Sequence, residues 1–444
     1  MIGLLKQFAP HFLYLSAIIV GLVSLTGRVR YGLFFLVPLV PLQNVLERLD
    51  FLPLGKDLND ILLICMIVGW LVSRLSSKDP FLAKTPFNWI LFTYAIFTYI
   101  TLWVGSFTIN APFPLDITDP RVQFWKNYMV MPLFFFLTLN HIKTTKDLKK
   151  LFLLMCAAIL LMEYYSFQQV GLMTSWVSRT KVHGTFVHLG ANEVAAFYAT
   201  YTFVLIGVFL WEKRTWIKLS LLSLIAVASY IVVFMYSRGA YMATAIGLLF
   251  LGLVRVRIVL VGMILFAICW NTIVPASVME RLQFTEHEGQ LDESAATRLV
   301  MWEQSLLYFQ HNPIMGVGFN VFSYLELKTD THNVFLRTLA EQGLIGITFL
   351  LTIMILSLVR GWQLYRRTED PLLKGLGLGF TACTISLMVA NFFGDRWGPL
   401  PLGAFFWVFL AMVERGHLIV SSGLAATNES QRPRKKTFPH APRT

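Results

Sequence analysis

Residues 275–346 read PASVMERLQFTEHEGQLDESAATRLVMWEQSLLYFQHNPIMGVGFNVFSYLELKTDTHNVFLRTLAEQGLIG, and no other polar segment of this length lies between two apolar runs of the chain. A connection of roughly sixty residues is far longer than two membrane helices need, and long loops of this kind commonly carry functional sites. We therefore expect this segment to build a site and the surrounding apolar runs to form the scaffold.

The composition is that of a membrane protein. Hydrophobic residues make up 56% of the 444 and charged residues 14%, and the apolar residues come in repeated runs. A run of about twenty apolar residues can cross a hydrocarbon core of about 30 Å as an α-helix. We therefore predict an all-α polytopic integral membrane protein with about twelve or thirteen transmembrane helices and one long periplasmic loop. A soluble multidomain protein is excluded, because the charged amphipathic segments that it would need are absent.

Thirteen apolar runs are evident in the chain. The first two are short, so one of them is a candidate re-entrant segment. The runs are His11–Leu25, Tyr31–Val45, Asp60–Leu75, Phe87–Gly105, Phe124–Leu139, Leu148–Phe167, Glu193–Trp211, Trp216–Met235, Ala240–Val254, Val259–Val274, Asn333–Val359, Gly375–Phe393 and Leu402–Val413.

Lysine and arginine are unevenly distributed over the connections. If the long loop faces out, most of the 37 lie on the opposite side. Because cytoplasmic loops accumulate positive residues, we expect residues 275–332 in the periplasm and the C-terminus in the cytoplasm. The same topology explains the formal net charge of +12, so no nucleic-acid partner is expected. We expect one membrane domain over residues 1–420 and a disordered basic cytoplasmic tail over residues 421–444.

The first candidate site residue is Arg238, in the tripeptide Ser237-Arg238-Gly239. This tripeptide separates two apolar runs with almost no loop, so the guanidinium is expected at the membrane surface. A planar guanidinium with five donors is suited to bind phosphate oxygens. The alternative is that Arg238 extends to lipid phosphates and has no catalytic role.

The second candidate is His332, which is followed by Asn333 and an apolar helical pattern. His332 is expected to precede or cap this helix, whose N-terminus then points into the external site. A neutral imidazole at this position can take a proton from a hydroxyl group. The alternative is a structural histidine at a helix start. Arg337 and Glu341 are four residues apart and are expected to pair on one helix face.

The long loop contains a third candidate group. Residues 294–302, SAATRLVMW, predict an amphipathic helix along the membrane interface, with Arg298 and Trp302 on one face. This pair suits either anchoring at lipid headgroups or a contact with a sugar pyrophosphate. Downstream, Gly316-Val317-Gly318 is followed by Val321 where a dinucleotide-binding fingerprint needs glycine, so we interpret it as a tight turn.

A fourth group precedes the seventh apolar run. Arg179 and Lys181 come shortly before Gly184, and Asn192 and Glu193 follow. Two cations beside a glycine can line an anion site. We therefore expect Arg179 and Lys181 to contact a bound anion.

No metal site is predicted. His183 and His188 lack the spacing and the third ligand that zinc requires. Asp116 and Asp119, in another external loop, are two carboxylates without a fixed partner and are too few to predict a site for a divalent cation. The four cysteines lie inside apolar runs and lack CxxC spacing, so we expect inert thiols.

Taken together, these motifs resemble the O-antigen ligase and polysaccharide polymerase superfamily of bacterial inner-membrane glycosyltransferases. The resemblance covers residues 179–346, while the flanking runs match only in hydropathy. Its motifs, in order, are Gly184-Thr185-Phe186 with Asn192, Ser237-Arg238-Gly239, Arg298 with Trp302, Pro313 with Gly316-Val317-Gly318, His332-Asn333, Leu336, Glu341, Gly343 and Gly346.

The resemblance implies a GT-C-type transferase that takes a glycan from undecaprenyl pyrophosphate on the periplasmic side and passes it to an acceptor hydroxyl. The acceptor is lipid A–core for a ligase and a growing glycan for a polymerase, and neither a cofactor nor, for the ligases, a metal is implied. By the same resemblance, Arg238 binds the pyrophosphate, Arg298 assists it, and His332 is the general base. Arg179 and Lys181 compete for a further basic position.

Three further expectations complete this interpretation. Asn333 and Trp302 are expected to contact the pyrophosphate or the glycan. A ligase is favoured slightly over a polymerase, because the external loop is compact. The rival from another class is a transporter of lipid-linked glycans, which would place broken helices or ionisable residues in mid-membrane. Glu163 and Glu341 are the ionisable residues inside apolar runs that bear on this alternative.

Overall fold

The computed structural model describes residues 2–75, 77, 80–173, 175–181, 185–186, 189–283, 286–287, 290–291, 293–325 and 331–430. Within these ranges, only the main chain is described for residues 2–7, 179–181, 283, 286–287, 290–291, 293–295 and 424–430. The fold is all-α, as predicted.

The described part of the chain contains seventeen α-helices. They are α1 (Ile2–Leu25), α2 (Val29–Leu39), α3 (Gln43–Leu46), α4 (Leu58–Leu75), α5 (Phe87–Thr108), α6 (Pro120–His141), α7 (Thr145–Gly171), α8 (Ala191–Trp211), α9 (Thr215–Phe234), α10 (Arg238–Val254), α11 (Arg257–Ile268), α12 (Trp270–Ile273), α13 (Ala276–Gln283), α14 (Glu293–His311), α15 (Val334–Arg367), α16 (Pro371–Ala390) and α17 (Leu400–Ser430). Three 3-10 helices, Glu47–Leu49, Trp176–Lys181 and Val321–Tyr324, and a two-stranded antiparallel hairpin, Glu286–His287 with Gln290–Leu291, complete the described elements.

Every one of the thirteen predicted apolar runs falls on helix. Within the described residues, nine helices are long and apolar enough to cross a membrane, or ten if a bent pair counts as one span. The bent pair is Val29–Leu39 with Gln43–Leu49, and the chain turns by 106° between the two helices. This pair covers the second apolar run, Tyr31–Val45, which is one of the two short runs. These helices make the protein a multi-pass membrane protein, while the number of twelve or thirteen spans stays a prediction.

Three of the thirteen predicted apolar runs are not among the ten candidate spans. Helices α10 and α11 are apolar but have only 17 and 12 residues. Helix α6 is long enough, but Arg121 and Lys126 lie in its first two turns and Pro132 in its interior. No residue of α11 is buried, as expected for a helix whose apolar side chains face lipid.

The predicted long loop contains regular structure. Helices α13 and α14 lie within it, and α14 covers the predicted interfacial helix of residues 294–302. At the other end of the chain, α17 continues to Ser430, so residues 421–430 of the predicted disordered tail are helical. The sequence there, SSGLAATNES, has no proline that would end the helix. Residues 431–444 lie outside the described residues.

Helix α16 is the centre of the bundle and packs against both α8 and α15. Gly375 and Gly379 are one turn apart and face α8. A Cβ on Gly379 would lie 2.7 Å from the carbonyl oxygen of Phe203, and one on Gly207 would lie 2.3 Å from that of Gly375. Glycines at these positions allow the two backbones to approach closely, which is how packing stabilises helix pairs in a membrane.

Helix α15 is broken at Gly343, and residues 313–319 fill the break with their main chain. The carbonyl oxygens at the end of the first half of α15 accept hydrogen bonds from main-chain N–H groups of residues 313–319. The N–H groups at the start of the second half of α15 donate to carbonyl oxygens of the same segment. The donor–acceptor pairs are Val317 to Ala340 at 2.9 Å, Gly318 to Glu341 at 2.8 Å, Leu344 to Pro313 at 2.8 Å and Ile345 to Ile314 at 3.3 Å. These bonds satisfy backbone groups that a broken helix would otherwise leave unpaired in an apolar environment.

Glycine is required at the break for two reasons. Gly343 has φ +63°, and a Cβ there would lie 2.3 Å from the carbonyl oxygen of Ile314. On the inserted segment, Gly318 has φ +118°, and a Cβ there would lie 2.2 Å from the Cα of Gly105 in α5. The segment therefore fits between α5 and α15 only with these glycines.

We predict that Gly343→Ala lowers the stability of the protein by at least about 2 kcal/mol, because alanine is strained at this φ and its Cβ overlaps Ile314. Thermal unfolding of the purified protein in detergent measures the effect. Gly262→Ala in α11 is the matched control, since a Cβ there meets nothing within 4 Å. Equal melting temperatures for the two variants would contradict the role given to the break.

Candidate functional site

A cleft lined by four arginines lies at the end of the bundle where α8 and α10 begin and α16 ends. The arginines are Arg238, Arg281, Arg298 and Arg396, from α10, α13, α14 and the connection between α16 and α17. Among the described residues that line the cleft there is no carboxylate. Four guanidinium groups around one opening form a site suited to an anion with several charged oxygens.

Arg238 is the first residue of α10. Ser237 occupies the N-cap position, but its side chain makes no capping hydrogen bond to the first turn. The partial positive charge of this helix N-terminus adds to the charge of the guanidinium. Tyr236, just before, has φ +53°, a left-handed conformation that is uncommon for a bulky residue, and its hydroxyl lies 3.1 Å from Ser277 Oγ.

Gly239 lets the start of α10 approach the end of α16. A Cβ on Gly239 would lie 2.6 Å from the Cβ of Phe393, which also lines the cleft. The glycine of the predicted Ser237-Arg238-Gly239 motif therefore has a packing role. It positions Arg238 against the connection that carries Arg396.

Arg281 and Arg298 approach the cleft from the long loop. Arg281 is buried, and its guanidinium lies over the ring of Trp176 at 4.9 Å from the ring centroid. Stacking on an aromatic ring stabilises a cation and restricts its position. The sequence placed Arg298 at the site, whereas it gave Arg281 no role.

The same stacking brings the 3-10 helix Trp176–Lys181 against α13. Arg179 and Lys181 belong to this helix, but their side chains lie outside what the structure describes. Their contact with an anion stays a prediction. His183, Gly184 and His188 lie outside the described residues.

Arg396, like Arg281, lines the cleft although the sequence gave it no role. Its guanidinium forms an ion pair with Glu193, and its main-chain N–H donates to Asn391 Oδ1 at 3.0 Å. Glu193 also accepts the Gly190 N–H at 2.9 Å and so caps α8. One carboxylate thereby fixes both the helix end and the arginine.

His332 is not among the residues that line the cleft, and its backbone has a strained conformation. Its φ is +51°, in the left-handed region. Strain of this kind persists only where the surrounding structure enforces it and is common at functional sites. The N–H of Val334 donates to the carbonyl oxygen of Asn391 at 3.0 Å, and Asn391 also binds Arg396. This arrangement fixes His332 relative to the arginine cleft.

Asn333 and Trp302 hold the histidine segment in place. Asn333 caps α15, and its Oδ1 accepts the N–H groups of Phe335 and Leu336 at 3.0 and 3.2 Å. The Trp302 indole N–H donates to the carbonyl oxygen of Thr331 at 3.0 Å. Both side chains therefore have positioning roles, and their predicted contacts with a substrate stay predictions.

A buried polar network joins the break in α15 to the cleft. The predicted pair of Arg337 and Glu341 is present, with Nε 3.3 Å from Oε2. Arg337 also donates to Asp395 at 2.9 Å and to Asn320 at 2.7 Å. Asp395 accepts the main-chain N–H groups of the two residues that follow Arg396, so the network orients the connection that carries this arginine.

The carboxylates near α6 have protein partners. Asp119 forms a salt bridge with Arg121 at 2.6 Å, and this guanidinium holds the pKa of Asp119 below its usual value. The Asp116 carboxylate accepts the Thr118 N–H at 2.8 Å. Over the described part of the chain, no group of three His, Cys, Asp or Glu side chains is arranged to bind a metal ion.

A family model described as O-antigen ligase matches residues 221–351. The matched segment contains Arg238, Arg281, Arg298 and His332, while Arg396 lies beyond it. No curated protein sequence matches the chain. The match over residues 221–351 confirms the predicted resemblance to the O-antigen ligase and polysaccharide polymerase superfamily.

Proposed function

We propose that the protein transfers a glycan from undecaprenyl pyrophosphate to an acceptor hydroxyl at the periplasmic face of the bacterial inner membrane, as an O-antigen ligase does. The observation that carries this proposal is the cleft with four arginines and no carboxylate among its described lining residues. Arg396 forms an ion pair with Glu193, and the described lining of the cleft itself carries four guanidinium charges. A pyrophosphate is the group of the donor that this charge fits.

The arginines act on the leaving group. When the bond between the anomeric carbon and the pyrophosphate oxygen breaks, its electron pair goes to the pyrophosphate, which gains negative charge. Fixed guanidinium groups in a partly dehydrated cleft stabilise this charge without reorganising. Arg238 is supported in this role by the N-terminus of α10.

His332 acts on the acceptor. The acceptor hydroxyl forms the new bond to the anomeric carbon, and the imidazole takes the proton that the hydroxyl loses. Its strained backbone, and the hydrogen bond from the nearby Val334 N–H to the Asn391 carbonyl oxygen, support a positioned base rather than a helix cap, since Asn333 caps the helix. The released pyrophosphate stays attached to its lipid.

The membrane orientation follows the distribution of charge. The cleft lies at the ends of α8 and α16 that are opposite to the basic connections Lys213-Arg214 and Arg366-Arg367. Basic connections accumulate in the cytoplasm, which supports a cleft that opens to the periplasm.

A transporter is less well supported by the same features. Helix α15 is broken at Gly343, beside Glu341, and broken helices were expected of a transporter. However, main-chain atoms of residues 313–319 fill the break, and Glu341 accepts the N–H of Phe322 at 3.1 Å. Glu163 is buried in α7, a different helix from the one that contains the break. The polar groups at the break therefore form hydrogen bonds with the segment around residues 313–322 and do not line a path for a solute.

We predict that His332→Asn reduces glycan transfer by about a hundredfold or more, because the general base is lost. Asparagine tolerates the left-handed conformation better than alanine, so the backbone at 332 is preserved. Arg238→Ala is expected to abolish most of the transfer as well. The assay uses purified protein, undecaprenyl-pyrophosphate glycan and either lipid A–core or carrier-linked glycan as acceptor.

Arg257→Ala is the matched control for Arg238→Ala, since Arg257 is likewise the first residue of an apolar helix and is exposed. Glycan on lipid A–core identifies a ligase, and longer carrier-linked chains identify a polymerase. Full activity of both site variants, with unchanged melting temperature, would refute the assigned roles. Donor translocation without transfer to any acceptor would favour the transporter.

We predict that Arg396→Ala weakens binding of a soluble prenyl pyrophosphate by about tenfold or more, since one charge-assisted hydrogen bond is worth about 1.5–3 kcal/mol. The double variant Arg396→Ala/Glu193→Gln should bind more tightly than Arg396→Ala alone, because the single change leaves an unpaired carboxylate beside the cleft. Calorimetric titration in detergent measures both. Identical affinities for wild type and Arg396→Ala would exclude Arg396 from the anion site.

A further inference from the structure

A second cavity lies at the opposite end of the same two central helices. Its volume is about 270 Å³, and it lies where α8 ends and where α7, α9 and α16 begin. Because α8 has 21 residues, the cavity is about 30 Å from the arginine cleft along the helix axis. It therefore lies near the other membrane surface and is a separate site.

The walls of this cavity are mainly apolar. Phe152 and Leu153 come from α7, Val208 and Trp211 from α8, and Ile217 from α9. Leu153 is exposed although it is a large apolar residue. An apolar wall that opens at the edge of the bilayer is suited to a hydrocarbon chain, since it adds no polar group that would lose water.

The rim of the cavity is basic. Lys149, Lys213 and Arg214 line it, and they are accompanied by the carboxylates of Glu212 and Asp370. Both carboxylates are used within the protein. Glu212 Oε1 accepts two main-chain N–H groups at 2.9 Å, and Asp370 Oδ1 accepts the N–H of Leu373 at 3.0 Å, where it caps α16.

The positive charges of the rim are less fully compensated. Lys149 lies 3.9 Å from Glu212, at the limit of an ion pair. Lys213 and Arg214 are exposed, and neither forms a salt bridge with a carboxylate among the residues that the structure describes. Arg214 is also the N-cap residue of α9, whose helix N-terminus adds partial positive charge.

We propose that this cavity binds one anionic phospholipid, with its phosphate at Lys149, Lys213 and Arg214 and the first part of an acyl chain along Phe152, Leu153 and Ile217. A basic rim over an apolar wall between membrane helices is the arrangement that recognises an anionic headgroup at the cytoplasmic surface. Inorganic phosphate would use the rim alone and would leave the apolar wall exposed to water. The lipid uses both parts of the cavity.

The test uses the purified full chain, freed of lipid and examined by native mass spectrometry and thermal unfolding. Phosphatidylglycerol, phosphatidylcholine and inorganic phosphate are added separately. We expect one phosphatidylglycerol per chain and a higher melting temperature with this lipid, because a ligand that binds only the folded state stabilises it. Phosphatidylcholine and inorganic phosphate are expected to give neither effect.

Two variants address the two halves of the cavity. Lys213→Ala/Arg214→Ala removes rim charge, and Leu153→Trp fills the apolar wall without changing charge. Each is expected to weaken phosphatidylglycerol binding by about tenfold or more. The matched control is Arg28→Ala/Arg30→Ala, because Arg28 is likewise exposed and is the N-cap of an apolar helix, α2.

Three outcomes would overturn the proposal. Equal binding of phosphatidylcholine would remove the role of charge. Unchanged phosphatidylglycerol binding by the rim variant and by Leu153→Trp would place the lipid elsewhere, and competition by millimolar phosphate would indicate a phosphate site. Glycan transfer is measured separately at the distant cleft, so failure here and failure of the transferase proposal are distinguishable.

Discussion

The main-chain hydrogen bonds between residues 313–319 and the two halves of α15 are the interaction on which the site depends. An apolar helix cannot be interrupted inside a membrane unless each freed N–H and C=O finds another partner. Here the inserted segment supplies those partners, and in doing so it brings the end of α14 against α15 and α5. Helix α14 carries both Arg298 and Trp302, and the Trp302 indole N–H donates to the carbonyl oxygen of Thr331, next to His332.

The break also determines where buried charge can be tolerated. Glu341 lies one turn after Arg337 and next to the inserted segment, so its carboxylate has both a guanidinium and a main-chain N–H as partners. Arg337 in turn reaches Asp395, beside Arg396. A buried ionic group is costly unless it is fully paired, and this network is paired from the break in α15 to the edge of the cleft.

Much of this architecture could be predicted from the sequence, because hydropathy and helix signals are local. The thirteen apolar runs, the helix over residues 294–302, the helix start at Asn333 and the pairing of Arg337 with Glu341 each depend on neighbouring residues. The expectation that Arg238 and Arg298 act at one site came from the family resemblance, and both line the cleft. The break at Gly343 could not be predicted in this way, since a glycine within an apolar helix is often only a packing residue.

The roles of Arg281 and Arg396 could not be predicted from the sequence either. The partners that fix them, Trp176 and Glu193, are far away in the sequence, and no spacing rule connects such residues. Arg396 also follows an apolar run so closely that its connection resembles an ordinary turn. Only the packing of α8 against α16 brings Glu193 and Arg396 together.

The cleft has a further consequence for the chain as a whole. Its four guanidinium groups come from four separate segments, so no short piece of the sequence contains the site. Like charges at close range repel, and part of the favourable packing energy of the bundle is used to hold them together. A bound polyanion acts as a shared counterion that reverses this repulsion. We therefore expect the proposed binding of a pyrophosphate and the cohesion of the long loop with the helical bundle to be thermodynamically linked.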